Sequence, residues 1–118
     1  MQTLQNLTLI TITKNRPESL LQMLKYYDES GVRFVICDAS KKKIKKKKLN
    51  FNINISYHHL PNYSWEDRVI FATKKINTKY VAFNHDDDFF LISTLKIIIK
   101  KMETNKNIHA FGGMHYGY

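Results

Sequence analysis

The chain has 118 residues, 43% of them hydrophobic and 13% aromatic, with a net charge of +9 and a single cysteine. That length allows one modest core and hence one domain over residues 1–118, and the composition excludes intrinsic disorder. The lone Cys37 excludes an internal disulfide framework and fits a reducing compartment. No run approaches the roughly 18 apolar residues of a membrane span. Met1 to Asn6 lacks the basic and apolar regions of a signal peptide, so a soluble, cytoplasmic protein is expected.

Much of the positive charge sits in one run, Lys41 to Lys48, interrupted only by Ile44. Arg16, Arg33 and Arg68 are the only arginines. Base edges and phosphates are read best by the bidentate arginine fork, so no nucleic-acid partner is expected. Blocks of like charge repel and stay extended, which makes the run a solvated loop. The alternative is a peripheral contact with an anionic membrane surface or a polyanion.

In chain order, Leu7 to Thr13 is a β-branched run and a first strand. It stops at Lys14-Asn-Arg-Pro17, where Pro17 suits the first position of a helix. Leu20, Leu21, Met23, Leu24 and Tyr27 recur at helical spacing, and Gly31 ends the segment. Val32 to Cys37 is a second buried strand, closed by Asp38-Ala-Ser40, and Ile53 to His58 is a third. Ser64 is a candidate N-cap, with Glu66 and Asp67 favourable in the first turn that follows. The stripe of Trp65, Val69, Ala72 and Ile76 assigns that helix to the core. Tyr80 to Phe83 is a fourth strand, Leu95, Ile98, Ile99 and Met102 mark a further helix, and Ile108 to Gly113 begins a fifth strand. The alternation predicts an α/β fold, a mostly parallel sheet flanked by helices.

Ligands of such sheets lie at the carboxyl ends of the strands. Asn15-Arg16, Asp38 and Asp86-Asp-Asp88 each follow a strand directly, so they are expected at one shared edge. Three adjacent carboxylates repel one another and are costly to bury unpaired. Two readings fit them: an acidic turn that caps the next helix, or a site for a hard cation such as Mg²⁺ or Mn²⁺ that holds a substrate phosphate at the same time.

Together, Thr11-Ile-Thr-Lys-Asn-Arg-Pro17, Cys37-Asp-Ala-Ser40 and Tyr80-Val-Ala-Phe-Asn-His-Asp-Asp-Asp88 resemble the nucleotide-binding half of GT-A glycosyltransferases of the family 2 type. The resemblance covers nearly the whole chain, in order and in spacing. It implies the Rossmann-like nucleotide-diphospho-sugar transferase fold, truncated at the C-terminus. It also implies a nucleoside diphosphate sugar as donor and a glycan, lipid or protein as acceptor. Thr13, Asn15 and Arg16 would then lie against the nucleotide, Asp38 against the base, and Arg68 near the pyrophosphate. Asp86 and Asp87 would belong to the donor site, and Asp86 and Asp88 would hold the divalent metal in an Asp-x-Asp motif. A second register pairs His85 with Asp87 instead. The family's Asp-Asp-Gly-Ser becomes Cys37-Asp38-Ala39-Ser40, so one acidic residue and the glycine are missing. Its catalytic base falls beyond Tyr118, so the chain is expected to be the donor-binding part of the fold.

For Arg68 the plain alternative is a salt bridge on a helix surface. A sugar nucleotidyltransferase would share the fold but would place a glycine-rich basic loop after the first strand, and Thr11 to Pro17 has no glycine. A receiver-type domain would need a lysine at a later strand end, which Ile108 to Gly113 does not offer. A basic polyanion-binding module without catalysis would leave the aspartates without a role.

Overall fold

The computed structural model describes residues 3–110. Strands β1 (Leu7–Thr13), β2 (Arg33–Asp38), β3 (Asn54–His59) and β4 (Tyr80–Phe83) alternate with helices α1 (Pro17–Tyr27), α2 (Trp65–Thr73) and α3 (Ile92–Thr104). Short 3-10 turns occupy Thr3–Asn6 and Lys46–Leu49. All four strands are parallel, in the order β3-β2-β1-β4. The result is an α/β protein with a parallel sheet flanked by helices, an arrangement compatible with a Rossmann-like fold.

The centre of the sheet is covered on both faces, which is why β1 and β2 are buried along nearly their whole length rather than at alternate positions. On one face Leu9, Phe34 and Ile36 pack with Leu20, Met23, Leu24 and Tyr27 of α1 and with Leu95 and Ile99 of α3. Each such side chain, fully buried, contributes about 1.5–3 kcal/mol. The other face is thinner: Ile10, Val35 and Cys37 meet Ala72 and the half-buried Phe71 of α2. α2 lies over β1 and β2, leaving Val81 and Phe83 of the edge strand β4 each 50% exposed.

Parallel pairing turns every strand's carboxyl end to the same edge, as expected from the sequence. The β1–β2 register matches Thr13 with Asp38, and β3 runs alongside to His59. β4 is shorter, its last paired residue Phe83 lying beside Ile10. Beyond it the chain continues along β1 through other bonds: Asn84 N donates to the Ile10 carbonyl at 2.9 Å, and Thr11 Oγ1 donates to the Asn84 carbonyl at 2.7 Å.

Three expectations need correction. Ile108–Ala110 is not strand; it follows a turn closed by Ile108 N on the Asn105 carbonyl, and the remainder of the expected strand, 111–113, lies outside the described residues. Trp65 is not a core residue, since it is 54% exposed, and Ile76 lies past the end of α2, which stops at Thr73. The lysine run is not simply extended: Ile44 is buried in the α1 side of the core, and Leu49 and Phe51 pack against it. No helix among the described residues is long and apolar enough to cross a membrane.

Candidate functional site

Hydrogen bonds stitch the carboxyl ends of the strands into one surface. The Thr13 carbonyl accepts from Ala39 N at 3.0 Å, and Ser40 Oγ accepts from Asn15 N at 2.6 Å, tying the β1 turn to the β2 turn. Asn15 adopts φ 58, a left-handed conformation that asparagine tolerates better than most residues. Thr13 Oγ1 reaches the other way and donates to Asp86 Oδ2 at 2.7 Å. Asn15-Arg16, Asp38 and the aspartates therefore do share an edge.

A cleft of about 280 Å³ opens there, lined by Ile12 and Thr13 at the end of β1, Lys14 and Arg16 after it, Trp65 and Arg68 of α2, and His85, Asp86 and Asp87 after β4. Asp86 is buried, at 6% exposure. A buried carboxylate must be hydrogen-bonded or paired; here Thr13 supplies the hydrogen bond and Arg16 Nε approaches Oδ1 at 3.4 Å. The same guanidinium reaches the exposed Asp87 at 3.4 Å. Three cationic side chains and two carboxylates thus line the cleft, with Arg16 in contact with both carboxylates.

Arg68 is not on the helix surface. At 7% exposure it lies under α2, donating from Nη1 to the Thr13 carbonyl at 2.8 Å and from Nε to the Ser64 carbonyl at 3.3 Å. Among the described residues no carboxylate pairs with it. Arg68 is thus a buried cation held by carbonyls at the wall of the open cleft. This overturns the surface salt bridge as its explanation.

Not every expected site residue lines the cleft. Asp38 is 1% exposed and its carboxylate is engaged within the chain: Oδ1 takes Ser40 N at 2.9 Å and Ser40 Oγ at 2.5 Å, and Oδ2 takes the Tyr57 hydroxyl at 2.6 Å. Burial and the bond to Asp38 push the Tyr57 hydroxyl well above its ordinary range, so it stays protonated and donates. Asp88 and the Asn15 side chain are also not among the lining residues. The Asp88 backbone instead closes the acidic turn, its N–H on the His85 carbonyl at 3.1 Å and its carbonyl on Asn84 Nδ2 at 3.1 Å.

Two features escaped the sequence reading. Asn84, 1% exposed, shapes the acidic turn: Nδ2 also donates to the His85 carbonyl, and Oδ1 accepts from the Tyr27 hydroxyl at 2.7 Å. Lys14 and Trp65 line the cleft as well, and the signal for both was position, directly after a strand and directly after a helix cap. Cys37 offers no nucleophile at neutral pH, because burial pushes its thiol up to about 11.

The fold and this edge define an α/β protein with a charged, strand-end cleft. No family model matches the sequence, and no curated protein matches it.

Proposed function

We propose that this chain binds a nucleoside diphosphate sugar at the carboxyl edge of its sheet, as the donor-binding part of a glycosyltransferase that uses Mg²⁺ or Mn²⁺. The observation that carries this reading is the cleft in which Lys14, Arg16 and Arg68 stand beside Asp86 and Asp87. The cations suit a diphosphate, and the carboxylates suit a hard metal.

Among the described residues no three acidic, histidine or cysteine side chains form a ready metal cage. The proposed metal does not require one, since Mg²⁺ is usually held by one or two carboxylates together with substrate phosphates and water. Asp86 is the first of these carboxylates, with Asp87 at the cleft or Asp88 in the same turn as the second. When bound, the metal supplies Lewis-acid neutralisation of the departing diphosphate. Arg16 is half-exposed and its contacts to both aspartates are long, so it is free to turn onto a phosphate oxygen. Trp65 offers an aromatic face at the rim for a sugar or base ring.

Titration calorimetry on the full chain with uridine and guanosine diphosphates, each with and without Mn²⁺, tests this. Binding that needs the metal, and that weakens about tenfold or more in Asp86→Asn, is expected from the loss of a charged ligand. Equal affinity with and without Mn²⁺ removes the metal from the scheme. Absence of binding by every nucleoside diphosphate removes the reading itself. Running Asp87→Asn and Asp88→Asn alongside decides the second carboxylate.

A further inference from the structure

The connection from β2 to β3 has no α-helix; its place over the α1 side of the core is taken by the lysine run. Ile44 is 8% exposed and anchors the middle of the run, its N–H donating to the Tyr57 hydroxyl at 3.1 Å. A 3-10 turn follows, with Lys48 N on the Lys45 carbonyl at 2.9 Å. Leu49 and Phe51 pack onto the core, and Asn52 N closes the loop onto Asp28 Oδ1 at 2.6 Å. The seven lysines between Lys41 and Lys48 are all exposed on this framework.

The carboxylates that meet this loop, Asp28 and Glu29, bond Asn52 and not the lysines. From Ala39 to Trp65 the sequence has no acidic residue, and among the described residues no carboxylate pairs with any of the seven. These lysines make up seven of the nineteen basic residues, and the other twelve nearly balance the ten acidic ones. The net charge of the protein is therefore largely the charge of one ordered loop. Apolar anchors hold these ammonium groups together against their mutual repulsion, which an external anionic surface would relieve.

We infer that this loop is an electrostatic docking surface for an anionic lipid bilayer. Lysine is a strongly hydrated point charge without the arginine fork, suited to a fluid array of headgroups and poorly suited to fixed, bidentate phosphate recognition. Clusters of four to eight basic residues are the size that holds peripheral proteins on acidic membranes. The run begins at the carboxyl edge of the sheet: Lys41 follows Ser40, whose hydroxyl accepts from Asn15 N. The inference stands on the loop alone and does not need the nucleotide reading.

The test is co-sedimentation of the full chain with phosphatidylcholine vesicles, with and without about one third phosphatidylserine, at low and high salt. Binding is expected only to the acidic vesicles and should fall steeply as salt screens it. Each lysine near the surface contributes about fivefold, so changing Lys42, Lys43, Lys46 and Lys47 to Gln should weaken binding by roughly two orders of magnitude or more. The same four changed to Arg should keep it, and an unchanged melting temperature in both variants excludes misfolding. Equal binding to neutral vesicles, full binding by the Gln variant, or tighter binding to duplex DNA than to acidic vesicles at the same salt overturns the inference. Nucleotide titration of the Gln variant separates the two proposals, because its cleft residues are untouched.

Discussion

Tyr27 and Asn84 together hold the acidic turn in place. The Tyr27 hydroxyl donates to Asn84 Oδ1 and accepts from Phe90 N, both at 2.7 Å, so one phenol pins both ends of the segment carrying the aspartates. Burial raises the Tyr27 hydroxyl far above its ordinary range, which keeps its proton available for the first bond. Tyr27→Phe removes both interactions and strands a buried amide oxygen. A loss of about 1–3 kcal/mol is expected in urea unfolding, and an unchanged midpoint would show that the hydroxyl is dispensable. The aspartates were legible in the sequence because a carboxylate run after an apolar strand is conspicuous. Asn84 was not, because an asparagine before acidic residues reads as ordinary turn chemistry. The inward engagement of Asp38 was equally hidden, since Tyr57 lies 19 residues away in sequence.

Among the elements, α2 decides where Arg68 sits. Ser64 caps it, its Oγ accepting from Asp67 N at 3.1 Å, and the Ser64 carbonyl takes Arg68 Nε one turn later. Ser64→Ala should cost about 1 kcal/mol, visible as a lowered thermal midpoint with the far-ultraviolet spectrum preserved. No change in midpoint would mean that packing on Ala72 alone holds the helix. The limits of β1 and the cap of α2 were readable because β-branched runs and Ser–x–x–Asp patterns act locally. The end of β4 at Phe83 was readable for the same local reason, but the takeover of the backbone ladder by the Thr11 and Thr13 side chains of a different strand was not. The expected fifth strand failed at its start for a local reason: Asn105, Lys106 and Asn107 turn the chain after α3.

For the molecule as a whole, acid should destabilise through His58. Burial first, and the nearby Lys75 second, lower its pKa from 6.5. Its ring packs edge-on to Phe71 with centroids 4.9 Å apart and shares a 2.7 Å hydrogen bond with Ser56 Oγ. A histidine with a depressed folded pKa binds protons more readily when unfolded, so its contribution is present above about 6.5 and is lost as pH falls toward the folded value. Because the side chain is only partly buried, the effect should stay below about 1 kcal/mol. Melting curves between neutral and mildly acid pH should show the midpoint falling, and falling less in His58→Gln. Parallel slopes for the two proteins would place the acid sensitivity elsewhere. The overall α/β layering was legible because helical and strand periodicities alternate along the chain. Which side chains meet across the edge was not, since sequence order carries no information about the facing strand.

The Thr13 carbonyl accepts two hydrogen bonds, from Ala39 N and from Arg68 Nη1. A carbonyl oxygen has two lone pairs, so withdrawing one donor leaves it satisfied by the other. On the proposed reading, an anion that draws Arg68 Nη1 away from that carbonyl leaves no buried acceptor orphaned, and the tie between the β1 and β2 turns survives the exchange.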